Sequence, residues 1–254
     1  MLLRSANARL AAARRLTGRR ARREAGRFLA EGAPVVREAL LADAVLELFA
    51  TAEAIERHPE LTQKAQEVSA KDASALSETV TPQGLVAVCR RIDVELAHAM
   101  DGARLVAVLV EPNDPGNAGT IVRTADAVGA DAVVVVGGVD VYNGKCVRAS
   151  AGSLFHLAVV LEPNVEDVLN AARSAQLRTL ATSGGGTRNL DGLDGLDRPT
   201  AWLFGSEANG LPDRVIDVAD ESVRVPIHGR AESLNVAAAA AVCLYASARA
   251  QRRA

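Results

Sequence analysis

Residues 104–138 read RLVAVLVEPNDPGNAGTIVRTADAVGADAVVVVGG. An apolar run comes first, then a loop punctuated by Pro112, Pro115 and Gly116, then a helical pattern, then a second apolar run. Both runs are nearly continuous instead of alternating, the pattern of strands buried on both faces of a parallel sheet. Four more such runs follow, FHLAVVLE, LRTLATS, TAWLFGS and ESVRVPI. The helical patterns are AGTIVRTADAVGA, VEDVLNAARSAQ and the long SLNVAAAAAVCLYASARAQ. This alternation predicts an α/β domain over residues 104–254.

A second, smaller α/β domain is predicted upstream, over residues 1–95. RFLAEGAPVVREALLA reads as a strand, a Gly turn and a helix with Pro34 in its first turn. AVLELFA is a short strand, and TPQGLVAVCR a Pro/Gly turn feeding another. IDVELAHAMDGAR then reads as a short connection between the domains.

With 254 residues, 49% of them hydrophobic, the chain is long enough for two cores, and at 3% aromatic these must be built from Ala, Val and Leu. No apolar run approaches membrane-spanning length, and the Arg-interleaved N-terminus lacks the apolar core of a secretory signal, so a cytoplasmic protein is expected. Cys89, Cys146 and Cys243 are widely spaced and odd in number, which predicts buried thiols instead of disulfides or a zinc site. His58, His98, His156 and His228 show no metal-ligand spacing, so no metal is expected.

The net charge of −2 hides an asymmetry. Residues 1–27 hold Arg4, Arg9, Arg14, Arg15, Arg19, Arg20, Arg22, Arg23 and Arg27 against Glu24 alone, about +8, which leaves about −10 on the remainder. Such an end either meets a polyanion or is a solvated Arg-rich helix.

Ligands of open parallel sheets bind beyond the carboxyl ends of the strands, so the loops there carry the chemistry. After RLVAVLVE, Asn117 is placed to cap the next helix, with Arg123 six residues on. After TAWLFGS, Gly205 and Gly210 bracket Glu207 and Asn209. After ESVRVPI, Ser233 stands where an N-cap belongs, with Asn235 in the first turn. Taken singly, each also fits an ordinary capped helix or glycine turn. SGGGTRNLDG, residues 183–192, fits a pocket wall or a flexible loop equally well.

Other site types fit poorly. No GxGxxG follows a strand, which disfavours a dinucleotide-binding oxidoreductase. In VVVVGGVDVYNGKC five residues separate Gly138 from Gly144, and Cys146 stands where a phosphate loop needs Ser or Thr. There is no GxSxG elbow.

Together the three loops resemble the signatures of the SpoU (TrmH) family of RNA 2′-O-ribose methyltransferases, in family order and spacing over residues 105–250. NAGTIVRTADAVGA resembles the first, LFGSEANGL the second, and VPIHGRAESLNVAAAAAVCLYA the third. Ala237 departs from the pattern, which often has Ser there. LTGRRARREAGRFLAEG and ALSETVTPQGLVAV resemble the small substrate-binding domain of many members, which looks like a ribosomal-protein RNA-binding fold.

The resemblance implies an α/β-knot (SPOUT) catalytic domain whose C-terminal segment threads a loop as a trefoil knot, a departure from ordinary topology rules. It implies a homodimer with each site near the subunit interface, and S-adenosylmethionine as methyl donor without a metal. Carried over by position, the donor meets Thr182, Gly184, Leu203, Phe204, Gly205, Val225, Ile227 and Leu234. Arg123, Asn117, Glu207, Ser233 and Asn235 form the catalytic set. Arg14, Arg15, Arg19, Arg20, Arg22, Arg23 and Arg148 are candidate RNA contacts. Large-subunit ribosomal RNA is the expected substrate, with transfer RNA, or RNA binding without catalysis, as alternatives.

Overall fold

All six apolar runs of the larger domain are strands, and all pair in parallel. The computed structural model describes residues 2–253, with side-chain surroundings from residue 8 onward, so the side chain of Arg4 lies outside it. In chain order the elements are α1 (Leu2–Arg15), α2 (Arg19–Ala25), β1 (Arg27–Glu31), α3 (Ala33–Leu41), β2 (Val45–Ala50), α4 (Ala52–Arg57), β3 (Gln66–Glu67), α5 (Ala70–Ser74) and β4 (Leu85–Arg90). Then come α6 (Leu96–Met100), β5 (Leu105–Val110), α7 (Pro115–Val128), β6 (Ala132–Val136), α8 (Gly144–Ser150), β7 (Ala158–Glu162), α9 (Val165–Ser174) and β8 (Arg178–Thr182). The chain closes with β9 (Arg188–Asn189), β10 (Thr200–Phe204), α10 (Asp213–Val218), β11 (Glu221–Arg224) and α11 (Val236–Gln251).

The chain forms two units, residues 1–92 with 140–156, and residues 93–139 with 157–254. Sequence patterning assigned 140–156 to the larger domain, but these residues pack within the first unit. The expected connection holds α6, whose Ala99 and Met100 are buried in the core of the second unit. Residues 93–103 are therefore part of that unit.

In the first unit the sheet order is β1-β4-β2-β3, with β4 antiparallel to both neighbours. Residues 140–156 join it through buried contacts. The Tyr142 ring lies 4.6 Å from that of Phe28, and its hydroxyl accepts from the backbone N–H of Ile92. Arg22 is buried and donates to Asp140 at 2.8 Å and to the carbonyls of Leu16 and Thr17.

The second unit carries a seven-stranded sheet in the order β7-β6-β5-β10-β8-β11-β9. β5, β6 and β10 are buried along their whole length, which explains their unbroken Val/Leu runs. Trp202 is fully buried on β10, and its indole N–H donates to Ser247 Oγ of α11 at 2.9 Å. β11 lies between β8 and β9, which adjoin it in space yet precede it in the chain. The loop joining β8 to β9 therefore crosses β11. Gly186 makes that crossing, since a side chain there would meet the backbone of Val223 and Arg224 within 2.6 Å. A strand laid across by an earlier loop is the feature that the expected knot requires.

Cys89, Cys146 and Cys243 are buried, as expected. Burial pushes the thiols of Cys89 and Cys243 up to about 12, so they stay protonated. Among the described residues no helix is long and apolar enough to cross a membrane, and no cluster of metal-ligating side chains occurs.

Candidate functional site

Three parallel strands end at one place. Thr182 closes β8, Gly205 follows β10, and Val225 and Ile227 follow β11. A cavity of about 600 Å³ opens beyond these ends, lined also by Gly184, Glu207, Ser233, Leu234 and Asn235. All nine are among the residues to which the resemblance gives a donor-binding or catalytic role.

The cavity floor depends on glycine. The backbones at Ser206 and Gly210 bridge each other, with N–H to carbonyl distances of 3.1 and 2.9 Å. This narrow turn leaves no room at Gly205, where a Cβ would stand 2.1 Å from the Gly210 carbonyl carbon. The turn presents Glu207 outward. Its carboxylate accepts from the backbone N–H of Asn113 at 3.0 Å, from that of Asp114 at 3.4 Å, and from Asn117 Nδ2 at 2.8 Å. Partial burial works to raise the Glu207 pKa. The hydrogen bonds from Asn117, from its own N–H, and from Asn113 and Asp114 outweigh it, so the carboxyl lies below its ordinary value.

Both helix caps differ from expectation. Asn117 was expected to cap α7, but Asp114 is the N-cap and accepts from the Asn117 N–H at 2.8 Å. Ser233 was expected to cap α11, but Asn235 does so, accepting from Ala237 and Ala238. Each shift frees a polar side chain. Asn117 Nδ2 reaches Glu207, and its Oδ1 accepts from Asn235 Nδ2 at 3.1 Å. Ser233 lies exposed on the cavity wall. The three loops are thus tied in one hydrogen-bonded chain, Glu207–Asn117–Asn235.

Other expected residues are not brought to the cavity. The side chains of Leu203 and Phe204 are buried in the core and do not line it. Leu203 takes part only indirectly, its carbonyl accepting from Thr182 Oγ1 at 2.8 Å. Arg123 does not line the cavity either. It is exposed on α7, with no side-chain hydrogen bond or ion pair among the described residues. Asp213 and Glu232 line the cavity and escaped the sequence reading. Their signal was position alone, one opening a helix after Pro212 and the other next to Ser233.

Among the described residues the cavity therefore carries three carboxylates, Glu207, Asp213 and Glu232, and no Lys or Arg. Such a lining repels a nucleoside triphosphate and suits a ligand with net positive charge. S-adenosylmethionine, with a sulfonium, an ammonium and one carboxylate, fits both the sign and the volume.

Of the candidate RNA contacts in the first unit, Arg14, Arg15, Arg19, Arg20 and Arg23 are exposed. Arg20 pairs with Glu24 at 2.7 Å. Arg22 is a correction, since its guanidinium is enclosed and spent on Asp140 and two carbonyls. Arg148 is likewise held, donating to the buried Glu31 at 3.2 Å.

Comparison with known proteins agrees with this geometry. Residues 104–245 match the SpoU rRNA Methylase family, and residues 7–87 match an MRM3-like substrate binding domain. The chain is 35% identical to the 23S rRNA (guanosine(2553)-2′-O)-methyltransferase RlmP of Bacillus subtilis, over 91% of this chain and 92% of the relative. The crystal structure of the SpoU methyltransferase AviRb from Streptomyces viridochromogenes in complex with AdoMet superposes with a TM-score of 0.85 at 32% identity, over 97% of this chain and all of that one. An AdoMet-bound rRNA methyltransferase from Sinorhizobium meliloti gives 0.83 at 31%, over 94% of each chain.

Proposed function

The chain belongs to the SpoU rRNA Methylase family, and from that membership we propose that it transfers a methyl group from S-adenosylmethionine to a ribose 2′-hydroxyl of large-subunit ribosomal RNA. The carrying observation is the Glu207–Asn117–Asn235 chain, which joins three signature loops at the mouth of an acidic cavity. Ribosomal RNA is favoured over transfer RNA because the match to the RlmP sequence spans both units. A cytoplasmic location goes with that substrate.

When bound, S-adenosylmethionine supplies an activated methyl on a sulfonium, so the protein's task is orientation, exclusion of water and help with proton loss. Gly205 lets the turn after β10 close tightly beside the cavity, and the residues after β11 would line the donor on another side. Glu207, fixed by three donors, holds the β10 loop to the start of α7, and Asn235 ties the start of α11 to the same point. The hydroxyl needs a positive charge nearby as it loses its proton. No cation lines the cavity, and Arg123 is unpaired outside it.

A homodimer resolves this. Arg123 shares an exposed face of α7 with Thr120 and Ala127, and α7 packs on α11, whose exposed face carries Val242 and Tyr245. Pairing of these faces in two copies covers apolar surface and brings Arg123 to the partner's cavity. There its guanidinium holds the neighbouring RNA phosphate and favours the developing alkoxide, while the proton leaves through phosphate or water, because Arg stays charged.

The test is methyl transfer from labelled S-adenosylmethionine to ribosomal RNA lacking the modification, with the methylated ribose mapped. Absence of donor binding, or methylation only on a base, overturns the proposal.

A further inference from the structure

β8 runs from Arg178 to Thr182. Thr182 lines the acidic cavity, and Arg178, about 13 Å away at ~3.3 Å per residue, lines something opposite in charge. Two adjoining hollows of about 500 and 400 Å³ lie at the amino ends of the strands and share Arg178, Arg198 and Glu221. Arg173 lines the first and Arg188 the second.

Four arginines, Arg173, Arg178, Arg188 and Arg198, line the hollows against three carboxylates, Asp194, Asp220 and Glu221, so a positive excess remains. Glu221 is spent twice, on Arg178 through Oε1 and on Arg188 through Oε2 at 3.3 Å. One carboxylate thus faces two guanidinium groups. Asp220 is turned into the sheet, accepting from the N–H and hydroxyl of Thr179 at 2.7 Å each. Arg173 is exposed and donates only to the neutral Asn170, and Arg198 is exposed with no side-chain partner among the described residues. Arg178 is held in place by a bond to the Asp194 carbonyl at 2.7 Å, so part of the cluster is preorganised.

We propose that this arginine-lined pair of hollows is a second RNA-contact site that grips phosphodiesters of the substrate through Arg173 and Arg198, at the end of the sheet opposite the donor cavity. Guanidinium forks match phosphate oxygens, and an elongated double hollow suits successive phosphates of one strand better than a single compact anion. The inference rests on RNA being the substrate.

The experiment compares the full chain with a double variant, Arg173→Glu with Arg198→Glu, and with the double Lys variant at the same positions. Binding to fragments of large-subunit ribosomal RNA is titrated across a salt series, with S-adenosylmethionine affinity and thermal midpoint measured alongside. The Glu variant should bind RNA about tenfold or more weakly and lose roughly 0.7–0.9 of log–log salt slope per phosphate contact. The Lys variant should keep most of the affinity. Donor affinity and thermal midpoint should not move. Unchanged RNA affinity and slope in the Glu variant overturn the inference, while failure of the unaltered chain to bind RNA overturns the functional reading on which it rests. An inorganic-phosphate titration separates the sources. Phosphate bound by the unaltered chain and not by the Glu variant, with RNA affinity equal in both, makes this a free-anion site and overturns the RNA assignment.

Discussion

Asn117 Nδ2 lies 2.8 Å from Glu207 Oε1, ninety residues along the chain, and this one bond joins the loop after β5 to the loop after β10. Asn117 also accepts from Asn235, so a single amide holds three loops. Replacing it with Ala leaves Glu207 and Asn235 each without that side-chain partner. Partly exposed, the pair of bonds is worth about 1–2 kcal/mol in total, which predicts roughly a tenfold weaker S-adenosylmethionine affinity. Calorimetric titration reads this directly, and an affinity within twofold of the unaltered chain contradicts it.

Gly205 and Gly184 form a matched pair. A Cβ at Gly205 meets the Gly210 and Leu211 backbone at 2.1–2.2 Å, whereas one at Gly184 meets nothing within 4 Å. Gly205→Ala should therefore destabilise the chain by about 2–3 kcal/mol, as overpacking against backbone does. Gly184→Ala should leave the thermal midpoint within a degree or so (about 0.5 kcal/mol at most). Equal melting of the two variants would show that the β10 turn yields.

Removal of Arg123 should separate binding from chemistry. Arg123→Ala is expected to leave donor affinity unchanged and to lower methyl transfer by about a hundredfold or more, the scale for losing one charge-stabilising group. Mixing this variant with one inactive through Glu207→Ala should restore activity in mixed dimers, each of which assembles one site with both residues intact. No recovery on mixing argues that Arg123 acts within its own chain.

The depressed Glu207 pKa sets a pH window. A carboxyl whose folded-state pKa lies below its ordinary value of 4.5 contributes stability that is fully present above 4.5 and lost as pH falls through the lower folded value. Stability should therefore carry no Glu207-dependent change above about pH 5 and should fall through this group only in more acid solution. Glu207→Gln should lack that acid limb. A fall in thermal midpoint of the unaltered chain through the histidine range would assign the dependence to another group.

The arginines of the first unit should divide into two classes. Arg22→Ala removes the buried guanidinium from the half-buried Asp140 and from two carbonyls and should cost about 1.5–3 kcal/mol of stability. Arg15→Ala and Arg23→Ala, at exposed positions, should leave stability unchanged and weaken RNA binding with a smaller salt slope. Equal thermal midpoints for the Arg22 and Arg15 variants would show that burial of Arg22 carries no energetic weight.

Much of this was legible in the chain. Three strands, β5, β6 and β10, showed themselves most plainly because apolar residues run unbroken wherever both faces of a strand are covered. The loops were legible only together, because Gly, Asn and Ser at a single strand end also fit an ordinary turn or capped helix. The misreadings share a cause. Asn117 and Ser233 were taken as caps from helix-start statistics, yet Asp114 and Asn235 do that work, and caps two or three residues apart look alike in sequence. Arg22 was grouped with its neighbours because composition does not distinguish a guanidinium facing water from one facing Asp140, 118 residues away.

The sequence by itself determined the α/β class, the parallel order of strand and helix, and the three Gly-, Asn- and Ser-bearing loops at the strand ends. These follow from periodicity and backbone chemistry, which act over a few neighbouring residues. Only the tertiary structure decided that Glu207, Asn117 and Asn235 bond to one another, that Leu203 and Phe204 turn inward, that residues 140–156 pack within the first unit, and that Arg173 and Arg198 stand uncompensated. Those outcomes depend on which distant groups the folded chain brings within about 3 Å, and no local pattern encodes that distance.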